Sequence, residues 1–202
     1  MRVLVACEFS GVVREAFASR GHDAWSCDLL PAADDARKHI QKDIESVLRA
    51  SIDWDIIIAH PPCTYLCSSG LHWNKRDPRR QEKTEAALAL VQWFLELPIE
   101  RIAVENPVGC ISTRIRKPDQ IIHPHQFGHD ASKATCLWLK SLPALKPTQS
   151  VEPRIVNGLP RWSNQTDSGQ NKLPPSENRW AERSKTYQGI ADAMAEQWGA
   201  PN

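Results

Sequence analysis

Apolar positions in the first 110 residues alternate between short strand-like runs and segments with helical spacing. Residues 2–6 form an apolar run of β character, and residues 54–59 form a run typical of a buried central strand. Residues 12–17 and 81–97 place apolar side chains at helical spacing, and 81–97 is rich in Ala and Leu. This alternation predicts an α/β fold with a doubly wound, mostly parallel sheet.

Two more runs, 23–27 and 99–104, predict further strands, and residues 44–50 predict a shorter helix. In open parallel sheets, ligands bind outside the carboxyl ends of the strands. The unusual residues of this chain follow predicted strands at such ends, at positions 8–11, 28, 60–63 and 105–107. The sequence therefore predicts a functional site at that edge of the sheet.

The alternation of strand-like and helix-like segments ends after Gly109. Residues 121–122 and 135–139 predict two late strands, paired as an antiparallel hairpin at the sheet edge. The region 141–185 is polar and rich in Pro, Asn, Ser and Gln, which predicts an extended, partly mobile segment. The region 186–202 is predicted to contain a helix over 187–198 that docks on the main domain, 1–140.

Composition and charge narrow the class of protein. Among 202 residues, 41% are hydrophobic and 24% charged, as in a globular protein, and no apolar run approaches the roughly 18 residues of a membrane span. We therefore expect a cytoplasmic protein with reduced cysteines and no membrane partner. A net charge of +1 does not point to nucleic acid. Local basic patches are Lys75, Arg76, Arg79 and Arg80, and then Arg114, Arg116 and Lys117.

The loop after the first strand has features of a nucleotide site. Ser10 and Gly11 precede a predicted helix, where free backbone amides and the missing side chain let a ligand approach. Asp28 follows a strand, where a carboxylate can accept hydrogen bonds from ribose hydroxyls. A plain βα turn with a strand-end Asp explains the same residues.

The loop at 60–63 reads His-Pro-Pro-Cys. Two prolines stiffen it, as suits a Cys63 thiol that must meet a carbon at a fixed angle. A buried structural cysteine is one alternative. Zinc is another, but no second pair of closely spaced cysteines exists, so we rank it lower. The residues this alternative would use are His60, Cys63, Cys67 and His72.

Glu105 follows the strand predicted at 99–104. It could be the hydrogen-bonding, proton-supplying partner of a nucleophile on a nearby strand. It could equally pair with Arg101 or Lys117, and the sequence leaves both open.

Taken in order, these motifs resemble those of cytosine-5 DNA methyltransferases. The chain is also similar to compact methyltransferase-like proteins of phages and prophages, at 133–139 and 187–191. The matching residues are Phe9-Ser10-Gly11, Asp28, Asp43-Ile44, Pro61-Pro62-Cys63 and Glu105-Asn106.

The resemblance implies a Rossmann-like class I fold that uses S-adenosylmethionine. Asp28 would hold the ribose, and Asp43 with Ile44 would contact the adenine. The cofactor residues implied in all are Glu8, Phe9, Ser10, Gly11, Asp28, Leu29, Asp43, Ile44 and Pro61.

The resemblance also implies the chemistry. Cys63 would attack carbon 6 of a cytosine, which makes carbon 5 nucleophilic. The cytosine would be flipped out of the DNA, because carbon 6 cannot be reached inside the stack. Glu105 would hydrogen-bond ring nitrogen 3 and the exocyclic amine. Arg114 and Arg116 resemble the paired arginines near the family's active site.

Several departures keep alternatives open. Pro107 follows Glu-Asn, residues 64–70 depart from the usual pattern after the nucleophile, and the last helix lacks the family's Gly-Asn. The region 141–185 is much shorter than a typical target-recognition domain. Specificity would then be low, absent, or supplied by a partner or a second copy. A non-catalytic relative that binds DNA or protein, or a methyltransferase acting on free nucleotide or RNA, are the alternative functions.

Overall fold

The computed structural model describes residues 1–34, 36–177 and 179–200, so the last two residues of the region 186–202 lie outside it. The strands in this part are β1 (Arg2–Ala6), β2 (Asp23–Asp28), β3 (His39–Gln41), β4 (Ile56–Ala59), β5 (Arg101–Pro107), β6 (Gln120–Ile122), β7 (Thr135–Lys140), β8 (Arg154–Val156) and β9 (Leu159–Arg161). The helices are α1 (Val12–Ala18), α2 (Ile44–Ala50), α3 (Ser68–Leu71), α4 (Pro78–Glu96), α5 (Ile111–Arg114), α6 (Arg179–Ser184) and α7 (Gln188–Gly199).

Seven of the described strands form one sheet in the order β3-β2-β1-β4-β5-β7-β6. Strands β1 to β5 run parallel, and β7 runs antiparallel to both β5 and β6. The predicted doubly wound, mostly parallel sheet with a late antiparallel pair is confirmed. Strand β7 lies inside the sheet, so β6 alone forms that edge. The sequence pattern did not mark β3, because three residues are too few to show a period.

Both faces of the sheet are covered by helices. Alternate residues of β1 point to opposite faces: Leu4 packs in the cluster with α2 and α4, and Val3 packs in the cluster with α1 and α7. This two-sided burial explains why β1 and β4 read as continuous apolar runs. Trp198 of α7 is 1% exposed, so the C-terminal helix is part of the core.

Polar caps fix the starts of two helices. The Asp43 carboxylate accepts a hydrogen bond from the Ser46 amide at 3.1 Å and begins α2 at Ile44, where the sequence predicted it. Asp77 accepts from the Arg79 amide at 3.0 Å, and Pro78 occupies the first turn of α4. Helix α4 therefore begins three residues before the apolar pattern, which starts at 81.

The region 141–185 contains short regular elements that its composition did not reveal. Strands β8 and β9 form a hairpin through Asn157 and Gly158, whose φ angles are 51° and 76°. This two-residue turn has the Asn-Gly sequence typical of tight hairpins, and that dipeptide is the signal that could have predicted it. In the part of the chain that the structure describes, no helix is long and apolar enough to cross a bilayer.

Candidate active site

The carboxyl ends of the parallel strands surround a cavity of about 240 Å³. Loops after β1, β2 and β4 and the end of β5 contribute to it, as expected where ligands bind in such sheets. The predicted site residues that line this cavity are Glu8, Phe9, Ser10, Asp28, Pro61, Cys63 and Glu105. Those that are not part of its lining are Gly11, Leu29, Asp43, Ile44, Arg114 and Arg116.

Glu8 closes the amino end of α1. Its carboxylate accepts hydrogen bonds from the Val13 amide at 2.8 Å and the Arg14 amide at 3.4 Å, and the Ser10 hydroxyl donates to it at 3.2 Å. Burial raises the pKa of Glu8, while nearby His60 and these hydrogen bonds oppose that rise. The free amides that the sequence predicted for a ligand are thus occupied in part by the protein's own carboxylate.

Gly11 shapes this turn. Its φ is 75°, and a side chain there would collide with the Asp34 carboxylate, which forms an ion pair with Arg14. The role of Gly11 in the structure is therefore to let α1 begin beside that ion pair.

Asp28 ends β2 beside the cavity. One carboxylate oxygen accepts a hydrogen bond from the Leu30 amide at 2.9 Å, which fixes the side chain in the loop. The adjacent Leu29 is 70% exposed, and Leu30 lines the cavity in its place. Asp43 caps α2 and Ile44 is buried in the core, so the pair predicted to contact adenine serves the fold of α2.

Cys63 follows Pro61 and Pro62 after β4. The chain turns at once into a single 3₁₀ turn, and the Cys63 carbonyl accepts hydrogen bonds from the Leu66 and Cys67 amides, both at 3.0 Å. Cys63 is partly buried and lines the cavity. Burial raises the pKa of Cys63, and the neighbouring Cys67 and Glu105 raise it further, while Lys133 and Arg183 lower it.

Glu105 is paired with His60 inside the site. The imidazole Nδ1 lies 2.8 Å from Glu105 Oε2, and the two side chains are 10% and 11% exposed. Burial alone would lower the pKa of His60, but the hydrogen bond and charge of Glu105 raise it, with help from Glu8. Burial opposes ionisation of Glu105 as well, yet His60 holds its pKa below the ordinary value. His60 Nε2 is buried and meets no hydrogen-bond partner among the described residues.

Asn106 joins the end of β5, which carries Glu105, to the loop that carries Cys63. Its side-chain amide donates to the Pro61 carbonyl at 2.7 Å, and Asn106 is 1% exposed. Its carbonyl oxygen is buried without a partner in the described part of the chain. The loop after β4 is therefore held directly against the end of β5.

The cations near Cys63 differ from those predicted. Arg114 forms two hydrogen bonds with Glu85, at 3.1 and 2.8 Å, and Arg116 bonds to Asp119 at 2.8 Å, so neither arginine reaches the cavity. Lys133, just before β7, and Arg183, on α6, line it instead. Sequence reasoning missed both functional candidates, along with His60 as a partner of Glu105. The Lys-Ala-Thr-Cys stretch that resembles phage proteins was the available signal for Lys133.

Two of the residues considered as zinc ligands, His60 and Cys67, form contacts with other side chains. His60 Nδ1 bonds to Glu105, and the Cys67 thiol lies 3.1 Å from the Ser69 hydroxyl. Within the ranges that the structure describes, no group of three or more His, Cys, Asp or Glu side chains is placed to hold a metal ion.

Part of the cavity lining has the groups that an adenosine would contact. Phe9 and Leu30 offer apolar surface beside Asp28, as an adenosine requires, and the Asp28 carboxylate keeps an oxygen beyond the one bonded to Leu30. Asp28 would accept from the ribose hydroxyls, while Phe9 and Leu30 would contact the base. The same cavity also reaches Cys63 and Glu105.

No family model and no curated protein matches the chain. Among solved structures, it is similar to an E. coli prophage-encoded protein described as a DNA modification methyltransferase, with 16% identity, a TM-score of 0.47, and 75% of this chain and 52% of that one covered. It is also similar to the S. pombe Dnmt2 methyltransferase, with 18% identity, a TM-score of 0.47, and 69% and 48% covered.

A third similar structure is the Entamoeba histolytica methyltransferase EhMeth, with 16% identity, a TM-score of 0.52, and 75% of this chain and 58% of that chain covered. The chain spans about half to three-fifths of the length of these proteins. The strand order and the likeness to the E. histolytica structure agree, so the chain has a methyltransferase-like fold.

Proposed function

We propose that this protein transfers a methyl group from S-adenosylmethionine to carbon 5 of cytosine in DNA. The observation that carries the proposal is that Cys63 and Glu105, from neighbouring strands β4 and β5, line one cavity that extends to Asp28 at the end of β2. A nucleophile, a base-holding carboxyl group and a ribose-binding carboxylate are the groups this transfer needs. The donor, when bound, supplies an electrophilic methyl group.

Cys63 acts as the nucleophile. Its thiol releases a proton to solvent, and the sulfur bonds to carbon 6, which moves the electron pair of the ring double bond toward carbon 5. Once carbon 5 carries the methyl group, it loses its hydrogen as a proton. The ring double bond then re-forms and Cys63 leaves as the thiolate. Lys133 and Arg183 favour the thiolate, because they oppose the effect of burial on the pKa of Cys63.

Glu105 orients and activates the base. His60 holds one carboxyl oxygen, Oε2, which leaves the other oxygen to meet ring nitrogen 3 or the exocyclic amine. As a carboxylate, this oxygen accepts a hydrogen bond from the exocyclic amine. A proton taken up from solvent between this oxygen and ring nitrogen 3 stabilises the negative charge that enters the ring when Cys63 attacks, and it returns to solvent when the ring double bond re-forms. His60 therefore acts as a positioning residue for Glu105. The base must be flipped out of the stack, because carbon 6 is otherwise inaccessible.

The experiment is nucleoside analysis of DNA incubated with the protein and labelled S-adenosylmethionine. Duplex and single-stranded DNA of mixed sequence, RNA and free deoxycytidine monophosphate are tested in parallel, because the short region 141–185 leaves specificity low or dependent on a partner or a second copy. We expect labelled 5-methyldeoxycytidine with the native protein and with Cys67→Ser, and none with Cys63→Ser. Label on another base, or on RNA or the mononucleotide alone, would refute the DNA assignment.

A further inference from the structure

A second, polar pocket of about 570 Å³ adjoins the active-site cavity. Lys133 and Arg183 line both spaces, so they form the wall between them. The other side of the pocket comes from the region 141–185, through residues 164 and 171–174, and from the chain that leads into α7. A group bound there would lie directly beside whatever occupies the Cys63 cavity.

The pocket concentrates positive charge. Four cations and one carboxylate, Glu182, give its lining a net charge of +3, whereas the whole chain carries +1. None of the exposed cations Lys172, Arg183 and Lys185 forms an ion pair with an acidic residue in the described part of the chain. The fourth cation is Lys133, whose ammonium group donates to the Arg183 carbonyl at 3.0 Å. This net excess of positive charge favours an anionic ligand.

The basic patches predicted from sequence differ in this respect. Arg80 donates to the Thr64 and Gly70 carbonyls, Arg114 pairs with Glu85 and Arg116 pairs with Asp119. These guanidinium groups already bond within the protein. The pocket differs from these patches in that its four cations line one cavity beside the active site.

The walls of the pocket are held in place by hydrogen bonds. The Asn164 side chain exchanges two of them with the backbone of Ser132, both at 2.9 Å. The Lys172 amide in turn donates to the Asn164 carbonyl at 2.9 Å. This chain of bonds fixes the Lys172 backbone against the segment that carries Lys133, so the cations converge on a formed pocket.

We propose that this pocket binds the phosphodiester backbone of the DNA strand next to the cytidine in the Cys63 cavity. This inference rests on the function proposed above and specifies its substrate as a cytidine within a strand. Phosphate contacts fix the position of a strand but carry no sequence information. The short region 141–185 thus supplies affinity in place of sequence reading.

The test compares two variants that each remove two positive charges. Lys172→Gln with Lys185→Gln alters the pocket. Lys117→Gln with Lys146→Gln alters exposed lysines outside both cavities and is the matched control. Binding of a fluorescent cytosine-containing oligodeoxynucleotide is measured against salt concentration for both variants and the native protein. Methyl transfer is measured separately, and deoxycytidine monophosphate is tested as a competitor.

We expect the slope of log affinity against log salt to fall by roughly 0.7–0.9 for each lost phosphate contact in the pocket variant, and to stay unchanged in the control. Equal slopes in the two variants would overturn the phosphate site even if methyl transfer is observed. A mononucleotide that competes as well as the oligonucleotide would overturn the strand assignment. A pocket-specific slope change without methyl transfer would support the phosphate site while the proposed function fails.

Discussion

His60 Nδ1 and Glu105 Oε2 lie 2.8 Å apart, and this contact links the ends of the adjacent strands β4 and β5. Both groups are nearly inaccessible, with side chains 10% and 11% exposed. A carboxylate in such surroundings is costly unless it is paired, and the imidazole provides the pairing. The contact therefore couples the stability of the site to the protonation of two residues.

Replacement of His60 by Gln should destabilise the fold. Loss of one partner from a buried ion pair costs about 3–5 kcal/mol, because the other charge stays buried without compensation. Urea unfolding at pH 5.5 measures the effect. His72→Gln is the control, since His72 is exposed, and it should leave the free energy of unfolding unchanged. Equal stability of the two variants would contradict the pairing.

The same pair predicts how the stability of the fold depends on pH. The pKa of His60 is raised above its ordinary 6.5. The contribution of protonated His60 to the free energy of unfolding is therefore complete below pH 6.5 and is lost as pH rises through the folded-state pKa. The pKa of Glu105 is lowered from its ordinary 4.5. The contribution of ionised Glu105 to the free energy of unfolding is therefore complete above pH 4.5 and is lost as pH falls through the folded-state pKa. The stability difference between native protein and His60→Gln should therefore be largest between these two values.

The bond from Asn106 to the Pro61 carbonyl predicts that an isosteric change is damaging. Asn106→Asp keeps the shape of the side chain but removes the amide donor that lies 2.7 Å from the Pro61 carbonyl oxygen. A carboxylate oxygen and this carbonyl oxygen, both acceptors, would then face each other in a buried position. An unsatisfied buried carbonyl costs about 1–3 kcal/mol. Chemical denaturation should show at least this loss. Asn74→Asp, which alters a partly buried bond to Thr84, is the comparison and should cost less.

Lys133 should tune the reactivity of Cys63. Its charge lowers the pKa of the thiol, so Lys133→Gln should raise that pKa and move the alkylation profile to higher pH. Iodoacetamide labelling of the peptide with Cys63 measures this by mass spectrometry, in a Cys67→Ser background that removes the neighbouring thiol. Lys146→Gln, an exposed change outside both cavities, should leave the profile in place. A profile that Lys133→Gln leaves unmoved, or moves to lower pH, would remove Lys133 from the site.

Asp28 should bind the donor through its charge. Asp28→Asn keeps an oxygen for the Leu30 amide but loses the negative charge. A hydrogen bond to a charged group contributes about 1.5–3 kcal/mol, which corresponds to a loss of roughly ten-fold or more in affinity. Calorimetric titration with S-adenosylmethionine measures it. Asp53→Asn, an exposed carboxylate that pairs with Arg2 at the start of β1, should bind normally.

The sequence predicted the sheet because its strands are buried on both faces and its helices carry clear signals, such as Asp43 before α2. It could not identify β3, whose three residues have no period. The family resemblance placed Arg114 and Arg116 near the active site, but Lys133 and Arg183, which are distant in the chain, line the cavity after folding. Glu85 and Asp119, the partners that hold the two arginines elsewhere, are likewise revealed only by the fold.

The most direct test of the proposed mechanism is trapping with DNA that contains 5-fluorodeoxycytidine, in the presence of S-adenosylmethionine. Fluorine at carbon 5 cannot leave as a proton does, so the bond between Cys63 and carbon 6 persists. We predict a protein–DNA band that survives denaturing electrophoresis with the native protein and Cys67→Ser, and that is absent with Cys63→Ser. No band with the native protein while S-adenosylmethionine binds, or a band that survives Cys63→Ser, would contradict the proposed mechanism.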